Sequence, residues 1–162
     1  MDKLLKFLPS GLAIYCSVIF LDSLRFKFTD DIKTQTIFGI LDEWAAGFGA
    51  EGIFAHTGLF SQYVIGVAEL IASAMLLLGI MTRFQRLQGF GALLGLAVMT
   101  GAIFFHTMTP LGIDPNKDGG LLFVMACGVW LSCAALVFIR RKEIAYGLGR
   151  LKDGLFGKPV SE

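Results

Sequence analysis

Apolar residues run along this chain in long blocks, separated by stretches that carry most of the charge. Four blocks stand out, at 4–28, 63–81, 87–106 and 121–139. Each is close to the ~20 residues an α-helix needs to cross ~30 Å of hydrocarbon at ~1.5 Å per residue. The period-2 alternation of a membrane barrel is absent. The pattern predicts an all-α protein, a four-helix transmembrane bundle over residues 1–142, followed by a basic tail at 143–162.

The longest connection, 29–62, is too apolar for a plain linker. Ile37, Phe38, Ile40, Leu41, Trp44 and Phe48 recur at helix-like spacing against Gln35, Asp42 and Glu43. This predicts an amphipathic interfacial helix in the first outer loop, with Trp44 suited to the headgroup layer. Such a helix either seals the bundle as a lid or gates a pocket beneath it. In the third block Gly91 and Gly95 form a Gly-x-x-x-Gly pair, and Gly89, Ala92 and Gly101 add small positions. Another helix can approach closely there, from within the bundle or from another subunit.

Composition agrees with a membrane protein. The 162 residues are 55% hydrophobic and 17% charged, with a mean hydropathy of +0.69, more apolar than a soluble domain of this size can hide. Lys3, Lys6, Arg83, Arg86, Arg140, Arg141, Lys142, Arg150, Lys152 and Lys158 fall to one side of the predicted spans. Arg25, Lys27, Lys33 and Lys117 fall to the other, beside Asp30, Asp31, Asp42, Glu43, Glu51, Asp114 and Asp118. The positive-inside rule then predicts cytoplasmic termini and a multi-pass topology. The first block follows Lys3 and Lys6 like a signal peptide, but it lacks a small-residue cleavage site and runs on into Asp22-Ser23-Leu24-Arg25-Phe26-Lys27, so it reads as a retained span. A net charge of +1 argues against nucleic acid as a partner and leaves the lipid bilayer.

One acid lies inside an apolar block. Glu69 must be neutralised, paired or wetted, because a charge in hydrocarbon costs at least ~2.5 kcal/mol, and membrane helices that keep one usually use it. It sits seven residues below Gln62, about 10 Å into the membrane, with Gln62, Gly66 and Ser73 on its helical face. The first span carries Asp22 and Arg25 near its outer end, with Tyr15 on the face of Asp22, and the third ends at His106. These depths predict one polar cluster of Asp22, Arg25, Glu69 and His106 in the outer-leaflet half, with Tyr15 and Ser73 as further ligand-facing positions. Arg25 would pair with Asp22 or Glu69, and His106 could exchange a proton. The alternative is a buried ion-pair network that only fixes helix register.

Other candidates are weaker. Cys16, Cys127 and Cys133 lie within spans without a Cys-x-x-Cys pair and read as packing residues, which disfavours disulfide exchange. His56 reads as a surface histidine; with His106 it could in principle ligate a b-type haem, but its place outside any span disfavours haem. Asp114-Pro115-Asn116-Lys117-Asp118-Gly119 opens like a calcium loop and fails at the twelfth position, Met125, so a turn with Asp118 capping the last helix is expected. Transition-metal spacing, a phosphate loop and a nucleophilic triad are absent.

The chain resembles the DoxX-like family of small four-span membrane proteins. The resemblance rests on Phe20-Leu21-Asp22-Ser23-Leu24-Arg25-Phe26-Lys27-Phe28-Thr29, on Ile65-Gly66-Val67-Ala68-Glu69-Leu70 with Leu77-Leu78-Gly79-Ile80-Met81-Thr82-Arg83, and on Gly101-Ala102-Ile103-Phe104-Phe105-His106 followed by Thr109-Pro110-Leu111-Gly112-Ile113. It implies a bacterial inner-membrane location. Some relatives are described as membrane subunits of thiosulfate:quinone oxidoreductase or as partners of redox enzymes, so it also implies a quinone-linked role. Glu69 would then be a proton acceptor, His106 a proton shuttle and Arg25 an anion or headgroup anchor, with quinone entering laterally. The competing expectation is a non-catalytic accessory or assembly subunit that docks on a larger membrane complex or a redox partner subunit. A transporter is disfavoured by the lack of an internal repeat or mid-membrane helix breaker, since Pro9 lies near an end of its helix and Pro110 beyond the third span.

Overall fold

The computed structural model describes residues 2–157; Lys158 and the rest of 158–162 lie outside the described residues. The elements are α1 (Asp2–Phe28), α2 (Ile32–Ala46), α3 (Gln62–Leu78), α4 (Gln85–Met108, entered through a 3-10 turn at Thr82–Phe84), α5 (Leu121–Ile139) and α6 (Arg141–Phe156). Among the described residues there is no strand. Helices α1 and α4 each pack against both α3 and α5, closing a ring of four.

Small side chains set the spacing of that ring. Ala13 and Cys16 of α1, Ala72 of α3, Ala92 of α4 and Val129 and Cys133 of α5 are fully buried around Phe20, Leu76 and Leu136. A Cβ at Gly91 would stand 2.8 Å from the Met75 Cβ, and one at Gly95 would stand 2.9 Å from the Cys133 Sγ. The glycine stripe of the third block is therefore used inside this chain, against α3 and α5, where it lets backbones approach.

The outside of the ring is apolar. Ile14, Val18 and Leu21 on α1, Val64, Val67, Leu70 and Ile71 on α3, and Val124, Leu131 and Phe138 on α5 are all exposed. This arrangement suits lipid and marks a helical membrane bundle. Among the described residues three helices are long and apolar enough to cross: α1 from Lys6, α4 with its entering turn, and α5. Helix α3, with 17 residues, reaches about 25 Å and stands at the short end of the spanning range.

The two ends of the bundle differ in charge. At one end Gln88 of α4, with no exposed surface, donates from Nε2 to the Pro9 carbonyl (3.5 Å) and accepts from Arg140 Nε (2.8 Å), tying α1, α4 and α5 together. There α6 lies across α4, with Ile144 against Gly89 and Gly147 against Phe90, so the stretch expected as a tail is a packed helix. At the other end α2 starts at Asp31, whose carboxylate accepts from the Lys33 N–H at 2.9 Å. Its Leu41 and Ala45 pack with Phe54 and Leu111 in a second small core, and Phe105 of α4 meets both Trp44 and Phe54 edge-on. The expected amphipathic helix is present, but it stops before Phe48, which is 75% exposed past the Gly47 cap.

Candidate functional site

The buried acid has a partner, and it is a lysine. Glu69 is 3% exposed, and Lys27 Nζ lies 2.9 Å from its Oε2 and 3.1 Å from its Oε1. Ser23 Oγ stands 2.6 Å from the same Oε2 and 2.8 Å from the Phe20 carbonyl, so its single proton is shared between them. Lys27 also donates to Ser23 Oγ at 3.1 Å. The ammonium is thus held by both carboxylate oxygens on one side and by the Ser23 hydroxyl on the other. The pair bridges α1 and α3 near the acidic end of the bundle.

Local geometry explains how a lysine reaches that depth. Gly66 lies one turn before Glu69, and a Cβ there would stand 3.5 Å from Lys27 Cδ and 3.3 Å from Phe28 Cζ. The missing side chain leaves a shallow track for the lysine stem across α3. Gln62, 3% exposed, holds the end of α1 above it, donating from Nε2 to the Lys27 carbonyl (3.0 Å) and to Asp30 Oδ1 (2.7 Å). Asp30 takes a left-handed turn (φ 57°), and its carbonyl accepts from Gln35 Nε2 at 2.9 Å. Beyond it His56 Nε2 meets the Tyr63 hydroxyl at 2.9 Å, with Nδ1 at 4.0 Å from Asp30 Oδ1. Asp30, Gln35, Asp42, His56 and Gln62 line a shallow cavity of about 280 Å³ under α2.

The other expected members go elsewhere. Arg25 pairs with Asp22 at 3.2 Å on the outside of α1 and stacks on Phe26, and neither it nor Asp22 touches Glu69. His106 is buried, but its Nδ1 lies 2.6 Å from the Gly112 carbonyl and its ring stands edge-on to Phe123. No hydrogen bond or ion pair joins His106 to Glu69 among the described residues. Tyr15 is exposed beside Gly128 of α5. Ser73 is buried below the pair, where its hydroxyl donates to the Glu69 carbonyl at 2.8 Å. The single four-residue cluster is thus replaced by a Ser23–Lys27–Glu69 centre, an outward Asp22–Arg25 pair and a separate histidine.

Ser23, Lys27 and Gln88 were missed from sequence, and a signal for two of them was present. Ala13, Cys16, Ser17, Phe20 and Leu24 of α1 are buried at steps of three and four. Continuing that stripe by three reaches Lys27, with Ser23 one turn before it. Arg25 lies two positions away, about 200° around the helix. Elsewhere, the Asp118 carboxylate accepts from the Leu121 N–H at 3.0 Å, but the N-cap of α5 is Gly120 in a left-handed turn (φ 78°) and not Asp118, because the two glycines after Asp118 carry the chain past it before the helix begins. Cys16 and Cys133 are free thiols in the core, 3.8 Å apart at sulfur.

A family model for DoxX matches residues 12–108, from within the first span to the end of α4. No curated protein and no solved structure matches the chain.

Proposed function

This chain belongs to the DoxX family, and from that premise we propose that it is a component of a quinone-linked redox system in the bacterial inner membrane, working through the Lys27–Glu69 pair. The observation that carries the proposal is a 3%-exposed carboxylate held with an ammonium and a hydroxyl at a helix seam whose outer surface suits lipid. A quinone approaches such a seam laterally, and its reduction to quinol takes up two electrons and two protons. The electrons come from a redox partner subunit. This chain supplies the proton side: Lys27 donates a hydrogen bond to the quinone carbonyl and Glu69 holds the proton in transit. The carbonyl takes the place of Ser23 Oγ on the ammonium, while Ser23 keeps the Phe20 carbonyl as its acceptor. Arg25, outward near the end of α1, serves as headgroup anchor, and His106 positions the turn at Gly112.

The same proposal takes α3 as the fourth span, its apolar run extended through Gly79, Ile80 and Met81. It places the Gln88 end in the cytoplasm. Lys6, Arg83, Arg86, Arg140, Arg141, Lys142, Arg150 and Lys152 gather there against Glu143 and Asp153.

A second reading, a non-catalytic accessory or assembly subunit of a larger membrane complex, is favoured by the engagement of Lys27 with Glu69 and Ser23 and by the closely packed core. Binding of quinone analogues to the purified protein separates the two. The redox reading expects saturable binding that Glu69→Gln weakens at least fivefold. Absence of binding, together with co-purification of a stoichiometric larger partner in mild detergent, supports the accessory reading instead.

A further inference from the structure

The basic end of the bundle holds a second, unassigned constellation. Helix α6 rests on α4 through Ile144, which is buried against Gly89. The stripe continues at steps of four and three to Leu148 and Leu151, which are 53% and 60% exposed. The apolar face of α6 therefore runs past the edge of the bundle. Arg141, Lys142, Arg150 and Lys152 are exposed on the same helix, against Asp153 and a half-buried Glu143. An exposed apolar stripe flanked by cations is the pattern of a helix lying in the plane of an anionic membrane surface.

Within this face two guanidiniums converge on one phenol. Arg86 of α4 stacks 4.1 Å over the Tyr146 ring, and Arg150 follows Tyr146 by one turn on the same side of α6. Arg150 first, and Arg86 after it, hold the phenol below its ordinary pKa. Among the described residues neither arginine has a carboxylate within ion-pair distance, whereas Arg140 has Glu143 and Arg25 has Asp22. Two guanidiniums gathered at one phenol without a counter-charge suit a phosphate oxyanion, which guanidinium groups bind readily.

We propose that Arg86, Tyr146 and Arg150 bind the phosphodiester of an anionic phospholipid, with α6 lying in the headgroup layer and Leu148 and Leu151 entering the acyl region. The exposed leucines favour a lipid over free phosphate, because an inorganic anion gives them nothing to cover. The site is independent of the quinone reading and would stand if that failed.

The test uses the purified full chain in mild detergent, titrated separately with phosphatidylglycerol, phosphatidylcholine and inorganic phosphate, and read by native mass spectrometry and by thermal unfolding. Phosphatidylglycerol should be retained at least fivefold over phosphatidylcholine and should raise the unfolding midpoint. Arg86→Gln with Arg150→Gln should abolish that preference while leaving the midpoint in phosphatidylcholine unchanged. If the double variant does not fold, Arg150→Gln alone, on the exposed helix, should still lower retention at least twofold. Equal retention of the two lipids, a preference that survives in the variants, or equal stabilisation by inorganic phosphate would overturn the proposal.

Discussion

Replacing Lys27 by Met should destabilise this protein more than replacing Glu69 by Gln, and the two effects should not add. The Lys27→Met change would leave the Glu69 carboxylate with Ser23 as its one remaining donor. That carboxylate is 4% exposed and lies seven residues, about 10 Å, inside α3. Removing one member of a buried pair costs about 3–5 kcal/mol, and the 15% exposure of Lys27 puts this case near about 3 kcal/mol. In the Glu69→Gln variant the amide would keep a Ser23 hydrogen bond. The ammonium it strands belongs to the penultimate residue of α1, whose stem can turn toward the headgroups, so this loss is about 1 kcal/mol. The double variant holds no buried charge and should also lose about 1 kcal/mol, which makes the coupling about 3 kcal/mol. At roughly 2–4 °C per kcal/mol for a chain of this size, the thermal midpoint in detergent should fall by about 9 °C for Lys27→Met and by about 3 °C for the other two. Equal losses for the single variants, summing in the double, would refute the argument.

Three further outcomes follow from the same geometry. Gly95→Leu should destabilise the bundle by about 1–3 kcal/mol or more through overpacking, because its Cβ would already stand 2.9 Å from Cys133 Sγ and 3.2 Å from Phe20, while Gly101→Leu, whose nearest neighbour is at 3.9 Å, should be tolerated; thermal unfolding in detergent reads both. Gln88→Leu should cost about 1–3 kcal/mol in the same assay, since it leaves the Arg140 Nε and the Pro9 carbonyl without their buried partner. In intact cells a membrane-impermeant maleimide should label a cysteine placed at Thr57 and reach one placed at Lys152 only after lysis; the reverse pattern would overturn the proposed orientation.

The helical membrane bundle was legible because hydrophobic block length is a direct consequence of bilayer thickness. So was the buried face of α3, where Gln62, Gly66, Glu69 and Ser73 mark one stripe in an otherwise apolar helix and all four are buried. The partner of Glu69 was not, because depth along a helix says nothing about direction around it. Asp22 and Arg25 have the right depth and the wrong azimuth, whereas Lys27 continues the stripe through Leu24. The bond from His106 to Gly112 and the packing of Phe54 and Leu111 under α2 arise in irregular loops, where no period carries the information. Helix α6 was hidden by its charge: its apolar stripe is short, Ile144, Leu148 and Leu151, and the cations around it read as a solvated tail.

If the Lys27–Glu69 pair handles protons, it does more than hold α1 to α3. The most direct measurement of that role is the rate of quinone reduction in membranes of a strain lacking this chain, complemented with the native protein or with Lys27→Met combined with Glu69→Met, a replacement that removes both charges and keeps the volume. Loss of a general acid or base typically lowers such a rate by about 10²–10⁴-fold. With both charges gone the rate should fall about 100-fold at native abundance and native thermal midpoint. Full restoration of the rate by that uncharged pair would contradict it and leave the ion pair a structural tie alone.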